Sequence, residues 1–263
     1  MMPSRRALLA LALFLVLSHM VSCAGGSRAA SNEQVTVETP DETRRRVPTG
    51  DILSRPLIYE VGGRRMLGRF VCYSDIVNGP VLVLLHDSWG IDEWLQSRAD
   101  RYARMGYVVV MPDLVEASPE ARDLSVSGNV QAAIDQVVRL TQLEGEPRQG
   151  VIGWGAGGSR AFICAMHMEL DLVVIVDAPL QGSPESLLPV REPVLGLFGG
   201  LNPQTSVESI QEFQDALLRT GGRFEGQVWK DEGANFMRLP RDPANVSEAD
   251  QEIVRWLDQF LPI

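Results

Sequence analysis

Downstream of about residue 57, short apolar runs alternate with amphipathic stretches, the pattern of strands alternating with helices. The runs Val81–Leu85 and 108–111 are apolar at every position, as expected of central parallel strands covered by helices on both faces. The pattern predicts strands at 57–61, 67–73, 81–86, 107–111, 150–154, 172–176, 194–198 and 224–229. It predicts helices at 91–104, 130–141, 158–167, 207–220 and 248–260. This order gives a doubly wound α/β fold, a mostly parallel sheet of about eight strands with an antiparallel entrance.

The N-terminal segment follows a different pattern. Arg5 and Arg6 precede an apolar run at 7–17, and small residues follow around Ser22-Cys23-Ala24-Gly25-Gly26, the order of a secretory signal peptide. The run is too short, and His19 too close, for a membrane span. Met20-Val21-Ser22-Cys23 also resembles the lipobox of bacterial lipoproteins, with Met20 in place of the usual leucine. Cleavage before Cys23 would leave that cysteine lipid-modified, whereas the other readings are an ordinary signal peptide or a retained anchor. Each reading puts the folded part outside the cytoplasm, either secreted or in the cell envelope, and the lipoprotein reading anchors it to a bacterial membrane. The expected organisation is therefore a signal peptide at 1–22, a polar tether at 23–56 and one domain at 57–263.

Lys and Arg number 24 against 34 Asp and Glu, a net charge of −10, which argues against nucleic acid as a partner and against electrostatic attachment to anionic lipid. Attachment to a membrane would depend on the lipid. Cys72 and Cys164 have neither C-x-x-C nor histidine spacing and read as small core residues. No metal-ligand cluster, phosphate loop or dinucleotide fingerprint is present, so no cofactor is expected. No patch singles out a protein partner.

The candidate chemistry lies in Gly153-Trp154-Gly155-Ala156-Gly157-Gly158, a strand, sharp turn and helix start with the pattern of an α/β-hydrolase nucleophile elbow. Its nucleophile position is Gly155, which carries no reactive atom. Further motifs follow in order. They are the strand ending in His86-Asp87-Ser88-Trp89-Gly90, the Pro112-Asp113-Leu114 turn, the elbow, Gly199-Gly200-Leu201-Asn202-Pro203, and Gly233-Ala234-Asn235-Phe236. Together they resemble the dienelactone hydrolase family over about residues 57–262.

That resemblance implies an α/β-hydrolase fold with a cysteine nucleophile, an aspartate and a histidine. Here Gly155 replaces the cysteine and Asn202 the aspartate. Ala234, or Asn235 after a one-residue slide, stands where the histidine belongs. A triad needs its base to take the nucleophile's proton and its acid to orient the base, so three losses together suggest that this chemistry is absent. The resemblance further implies oxyanion-type backbone donors at Ser88 and Ala156. It places a carboxylate at Asp87 where many members carry a glutamate, and an arginine at Arg238 that binds a substrate carboxylate in the family. Asp87 is then either a ligand contact or a structural carboxylate, and Arg238 either an anion clamp or a surface residue. A second family arginine is not evident; Arg122 is the nearest residue. Trp89 and Trp154 either wall a pocket for a small molecule, with His86 and Phe236 beside them, or fill vacated volume.

A relocated catalytic pair of Ser88 and His86 is conceivable, but residues two apart on an extended chain lack triad geometry. His167 reads as a packed or solvated helix residue, Ser159 as facing away from the elbow, and Asp177 as a loop or cap aspartate. Two functions remain open. One is a non-catalytic domain of this family, tethered outside the cytoplasm, that binds a small molecule or a protein. The other is an active ester or lactone hydrolase with a rearranged site.

Overall fold

The computed structural model describes residues 49–76, 78–114, 126–180 and 190–263. The segment expected to be a signal peptide, Cys23, most of the expected tether and Arg122 lie outside the described residues. The strands are β1 (Ile52–Val61), β2 (Arg64–Tyr73), β3 (Val81–Leu85), β4 (Val108–Pro112), β5 (Gln149–Trp154), β6 (Leu172–Val176), β7 (Pro193–Gly199) and β8 (Arg223–Trp229). The helices are α1 (Glu93–Arg104), α2 (Val126–Thr141), α3 (Ala156–His167), α4 (Val207–Arg219) and α5 (Pro243–Phe260).

The strands form one sheet in the order β1-β2-β4-β3-β5-β6-β7-β8. The β1–β2 and β2–β4 pairs are antiparallel, and the rest of the sheet is parallel. Every residue of β3, β4 and β6 is buried, because helices cover both faces there. On one face Leu82, Leu84 and Ile152 pack with Tyr102 of α1 and Ile253 and Trp256 of α5. On the other, Val83, Val110 and Val151 pack with Ile134 of α2, Ala161 of α3 and Phe213 of α4. Cys72 and Cys164 are buried free thiols on this second face.

The first strand begins at Ile52, five residues inside the segment expected to be tether, and runs in register with β2 from Ile52↔Tyr73 to Val61↔Arg64. Ser54-Arg55-Pro56 hides it in the sequence because an edge strand pairs through its backbone on one side only, and its outer side tolerates a proline. Helix α5 likewise starts five residues early, where Asp242 accepts from the Ala244 N–H at 2.9 Å and Pro243 sets the first turn. Asp92 and Ser206 cap α1 and α4 in the same way, but α3 has no cap of its own.

Candidate functional site

The carboxyl ends of the parallel strands converge on the elbow between β5 and α3. Gly155 holds φ 52° and ψ −119°, a conformation unfavourable for any residue with a Cβ, and its N–H donates to the Val176 carbonyl at 2.8 Å. The neighbouring glycines are dictated by close approach. A Cβ on Gly153 would lie 2.1 Å from the Gly157 carbonyl oxygen. The turn therefore has the geometry of a nucleophile elbow, with a glycine at its apex.

The space that a side chain at 155 would enter is taken by Asp87, from the loop after β3. A Cβ built on Gly155 would lie 2.6 Å from both Cγ and Oδ2 of Asp87. Oδ1 of Asp87 accepts from the Ala156 N–H at 3.1 Å. The donor expected to face a reacting oxygen is thus already bound, and a carboxylate at the N-terminus of α3 supplies the cap that the helix lacks. Ser88, the other expected oxyanion position, is exposed and lines neither cavity of the site.

His86 is 2% exposed and committed to the backbone. Its Nδ1 lies 2.6 Å from the Asp87 carbonyl and its Nε2 accepts from the Leu114 N–H at 2.9 Å. This arrangement fixes the neutral tautomer with the proton on Nδ1. Burial lowers its basicity further, outweighing the bond to the Asp87 carbonyl. No ring nitrogen is left for Ser88. His167, the last residue of α3, is exposed and away from the site.

At the acid position, Asn202 is buried and orders its own loop. Its Oδ1 accepts from the Gln204 N–H at 3.0 Å, while its Nδ2 lies 3.5 Å from the Asp177 carbonyl. Asn235 adopts φ 60°, and its carbonyl accepts from the Arg238 and Leu239 N–H groups. Ala234 is exposed. Phe236, expected in the pocket, is fully buried against Trp229 with ring centroids 5.0 Å apart, so it belongs to the core.

Asp177, expected to be an ordinary loop residue, ties these two loops together. It is 3% exposed with φ 51°, and accepts from the Gly199 N–H at 2.8 Å and the Phe236 N–H at 3.1 Å. Burial pushes its carboxyl up to about 6 in spite of those bonds. A sequence signal was available, since Asp177 directly follows an all-apolar parallel strand, at the sheet edge where sites gather. Glu232 does similar work further out. Fully buried, it accepts from Arg241 N–H, Asp242 N–H and the Asn245 amide. Burial alone would raise its carboxyl, but these bonds hold it below the usual range.

Two cavities meet at Asp87, Gly155, Asp177 and Asn235, which line both. The inner one measures about 20 Å³ and is walled by Trp89, Trp94 and Trp154. Trp94, missed in the sequence, meets Trp154 edge to face with ring centroids at 5.3 Å. Arg238 closes this pocket. Its guanidinium is ion-paired with Asp92 and lies 4.3 Å from the Trp89 ring centroid and 5.1 Å from that of Trp94. The outer cleft measures about 610 Å³ and is lined by Ser159, Arg160, Asn202, Gln204 and Ala234 besides the shared residues. Ser159 therefore faces the cleft, contrary to expectation, because the first turn of α3 forms its wall.

Strand order, helix placement and a glycine-flanked elbow at the carboxyl end of β5 define an α/β-hydrolase fold. A family model for the dienelactone hydrolase family matches residues 68–261, and the chain belongs to that family. Carboxymethylenebutenolidase of Rhodococcus opacus is 24% identical over 214 residues, covering 72% of this chain and 85% of the relative. A Klebsiella pneumoniae structure provisionally assigned as a dienelactone hydrolase superposes with a TM-score of 0.69 at 17% identity, covering 80% of this chain and 100% of that one. The acylaminoacyl peptidase of Pyrococcus horikoshii reaches 0.68 at 13% identity, over 80% of this chain and 42% of the peptidase.

Proposed function

We propose that this chain is a dienelactone hydrolase-like domain that no longer hydrolyses esters and uses the cleft above the elbow to bind a small molecule. The observation that carries this reading is the Asp87 carboxylate, seated on the Ala156 N–H in the volume where the side chain of a nucleophile would project from position 155. Three further features support it. His86 is neutral and fully bonded, Asn202 and Asn235 serve their own loops, and the thiols of Cys72 and Cys164 are pushed up to about 11 and about 12 by burial. A thiol so disfavoured as thiolate is a poor nucleophile at neutral pH.

The names of the relatives favour a second reading, a hydrolase with a rearranged site. The two are separated by a fluorophosphonate ester probe, followed by mass mapping of the labelled peptides. We expect no stoichiometric label on any Ser or Cys of the folded domain. Saturable labelling at one residue, abolished by its substitution to Ala, supports the hydrolase instead.

The same proposal includes the N-terminal segment: acylation at Cys23 tethers the domain outside the cytoplasm, since the acidic chain offers no electrostatic attachment of its own. Radiolabelled palmitate in a bacterial host should enter the natural chain and be absent from Cys23→Ser. Equal labelling of both contradicts the lipoprotein assignment.

A further inference from the structure

Beside the outer cleft lies a third cavity, of about 230 Å³. One wall is a stripe of α3, where Ser159, Phe162, Ile163 and Met166 recur at three- and four-residue spacing and so share a helix face. Opposite stand Ile175 at the end of β6, the Ala178-Pro179-Leu180 segment after it, and Phe213 of α4. Phe162 and Phe213 meet edge to face with ring centroids 5.1 Å apart, which fixes one side of the cavity in advance of any ligand. Among the described residues that line it, Ser159 alone has a polar side chain, so the cavity offers water almost nothing to bond. An apolar volume of ~150 Å³ is enough for a benzene ring, and this one is larger.

The outer cleft has the opposite character, and Ser159 and Pro179 line both, so the two adjoin. The cleft's charges are already matched. Asp87 accepts from the Ala156 N–H and has Arg160 and Arg238 as its neighbouring cations, while Asp177 accepts from the Gly199 and Phe236 N–H groups. Arg160 Nη1 in turn donates to the His86 carbonyl at 3.2 Å. A charged ligand therefore finds no spare counter-charge in the cleft. The uncommitted groups are neutral: the Ser159 hydroxyl, at the boundary of the two cavities, and the Gln204 amide, neither of them bonded to another described residue.

We propose, building on the binding function above, that the ligand is a neutral amphiphile. Its compact hydrogen-bonding head lies in the outer cleft against Ser159 and Gln204, and an apolar arm of about six carbons, ring or chain, enters the cavity between α3 and Phe213. The polar cleft selects against charge, and the apolar cavity supplies most of the affinity, roughly fourfold for each methylene buried.

Calorimetric titration of the full chain at pH 8 with acetamide, hexanamide, hexanoate and hexylamine tests this. Hexanamide is expected to bind about tenfold or more tightly than acetamide, which lacks the arm, and more tightly than the anion or the cation that carry the same arm. Met166→Trp, at a half-buried position of the cavity wall, should bring hexanamide down to the level of acetamide. Ser159→Ala should weaken both amides and keep their order. The comparison of chain lengths and head groups is made on the natural chain and stands even if Met166→Trp fails to fold. Equal binding of the two amides, tightest binding by hexanoate or hexylamine, unchanged hexanamide affinity in a folded Met166→Trp, or no binding of hexanamide overturns the proposal. Ester turnover by the natural chain refutes the non-catalytic reading whatever the amides do, whereas absence of both turnover and amide binding refutes only the ligand class.

Discussion

Asp87 and Gly155 share one volume: a Cβ on Gly155 would lie 2.6 Å from the Asp87 carboxyl carbon. The two residues are therefore coupled. A side chain at 155 must both accept φ 52° and displace a carboxylate from its bond to Ala156.

Gly155→Ala is accordingly expected to destabilise the protein by roughly 1–3 kcal/mol. Asp87→Gly should recover part of that loss, giving a non-additive double-mutant cycle in urea unfolding. Strict additivity contradicts the shared volume.

Asp177 makes stability depend on pH in a defined direction. Its native carboxyl holds a proton up to about 6, whereas the ordinary value is 3.8, so between these limits the folded state binds more protons than the unfolded one. Acidification from pH 7 to pH 4 should therefore stabilise the natural chain relative to Asp177→Asn, by roughly 3 kcal/mol at most. The difference between their unfolding free energies, measured across that range, checks the sign. If the unfolding free energy of the natural chain minus that of Asp177→Asn stays flat or falls on acidification, the sign is wrong.

Glu232 anchors the loop that carries Ala234 and Asn235 to the start of α5. Glu232→Ala leaves its three donors without their acceptor and should cost roughly 3 kcal/mol or more. Amide exchange should rise across 233–245 in particular. An unchanged midpoint with unchanged exchange contradicts the anchoring role.

Cys72 and Cys164 are buried and held in the thiol form, so iodoacetamide should label neither without denaturant. Peptide mapping of native and urea-unfolded protein measures this. Rapid native labelling at either residue reopens it as a nucleophile.

The sheet was legible because its central strands are apolar on both faces, and β6 was placed to the residue. The edge was not: Ser54-Arg55-Pro56 carries no alternation, and only pairing with β2 makes it strand. The positions where the resemblance expects a triad were equally plain, since Gly155, Asn202 and Asn235 or Ala234 stand in recognisable motifs. The contacts around them were hidden, because that of Asp87 with Ala156 spans 69 residues and that of Asp177 with Phe236 spans 59. Likewise, Trp94 and Asp92 gain meaning only when the fold brings Arg238 to them. Ser159 was misplaced because α3 begins at Ala156, two residues earlier than its sequence pattern implied, which changes the face that Ser159 presents.

The most direct test compares turnover of activated esters and lactones by the natural chain with that of variants carrying Gly155→Cys, Asn202→Asp and either Asn235→His or Ala234→His, each with and without Asp87→Gly. The account predicts an inert natural chain and turnover gained in a variant from which the Asp87 carboxylate has been removed. Turnover by the natural chain that survives purification to homogeneity would contradict the reading of Gly155 as the end of the hydrolytic chemistry.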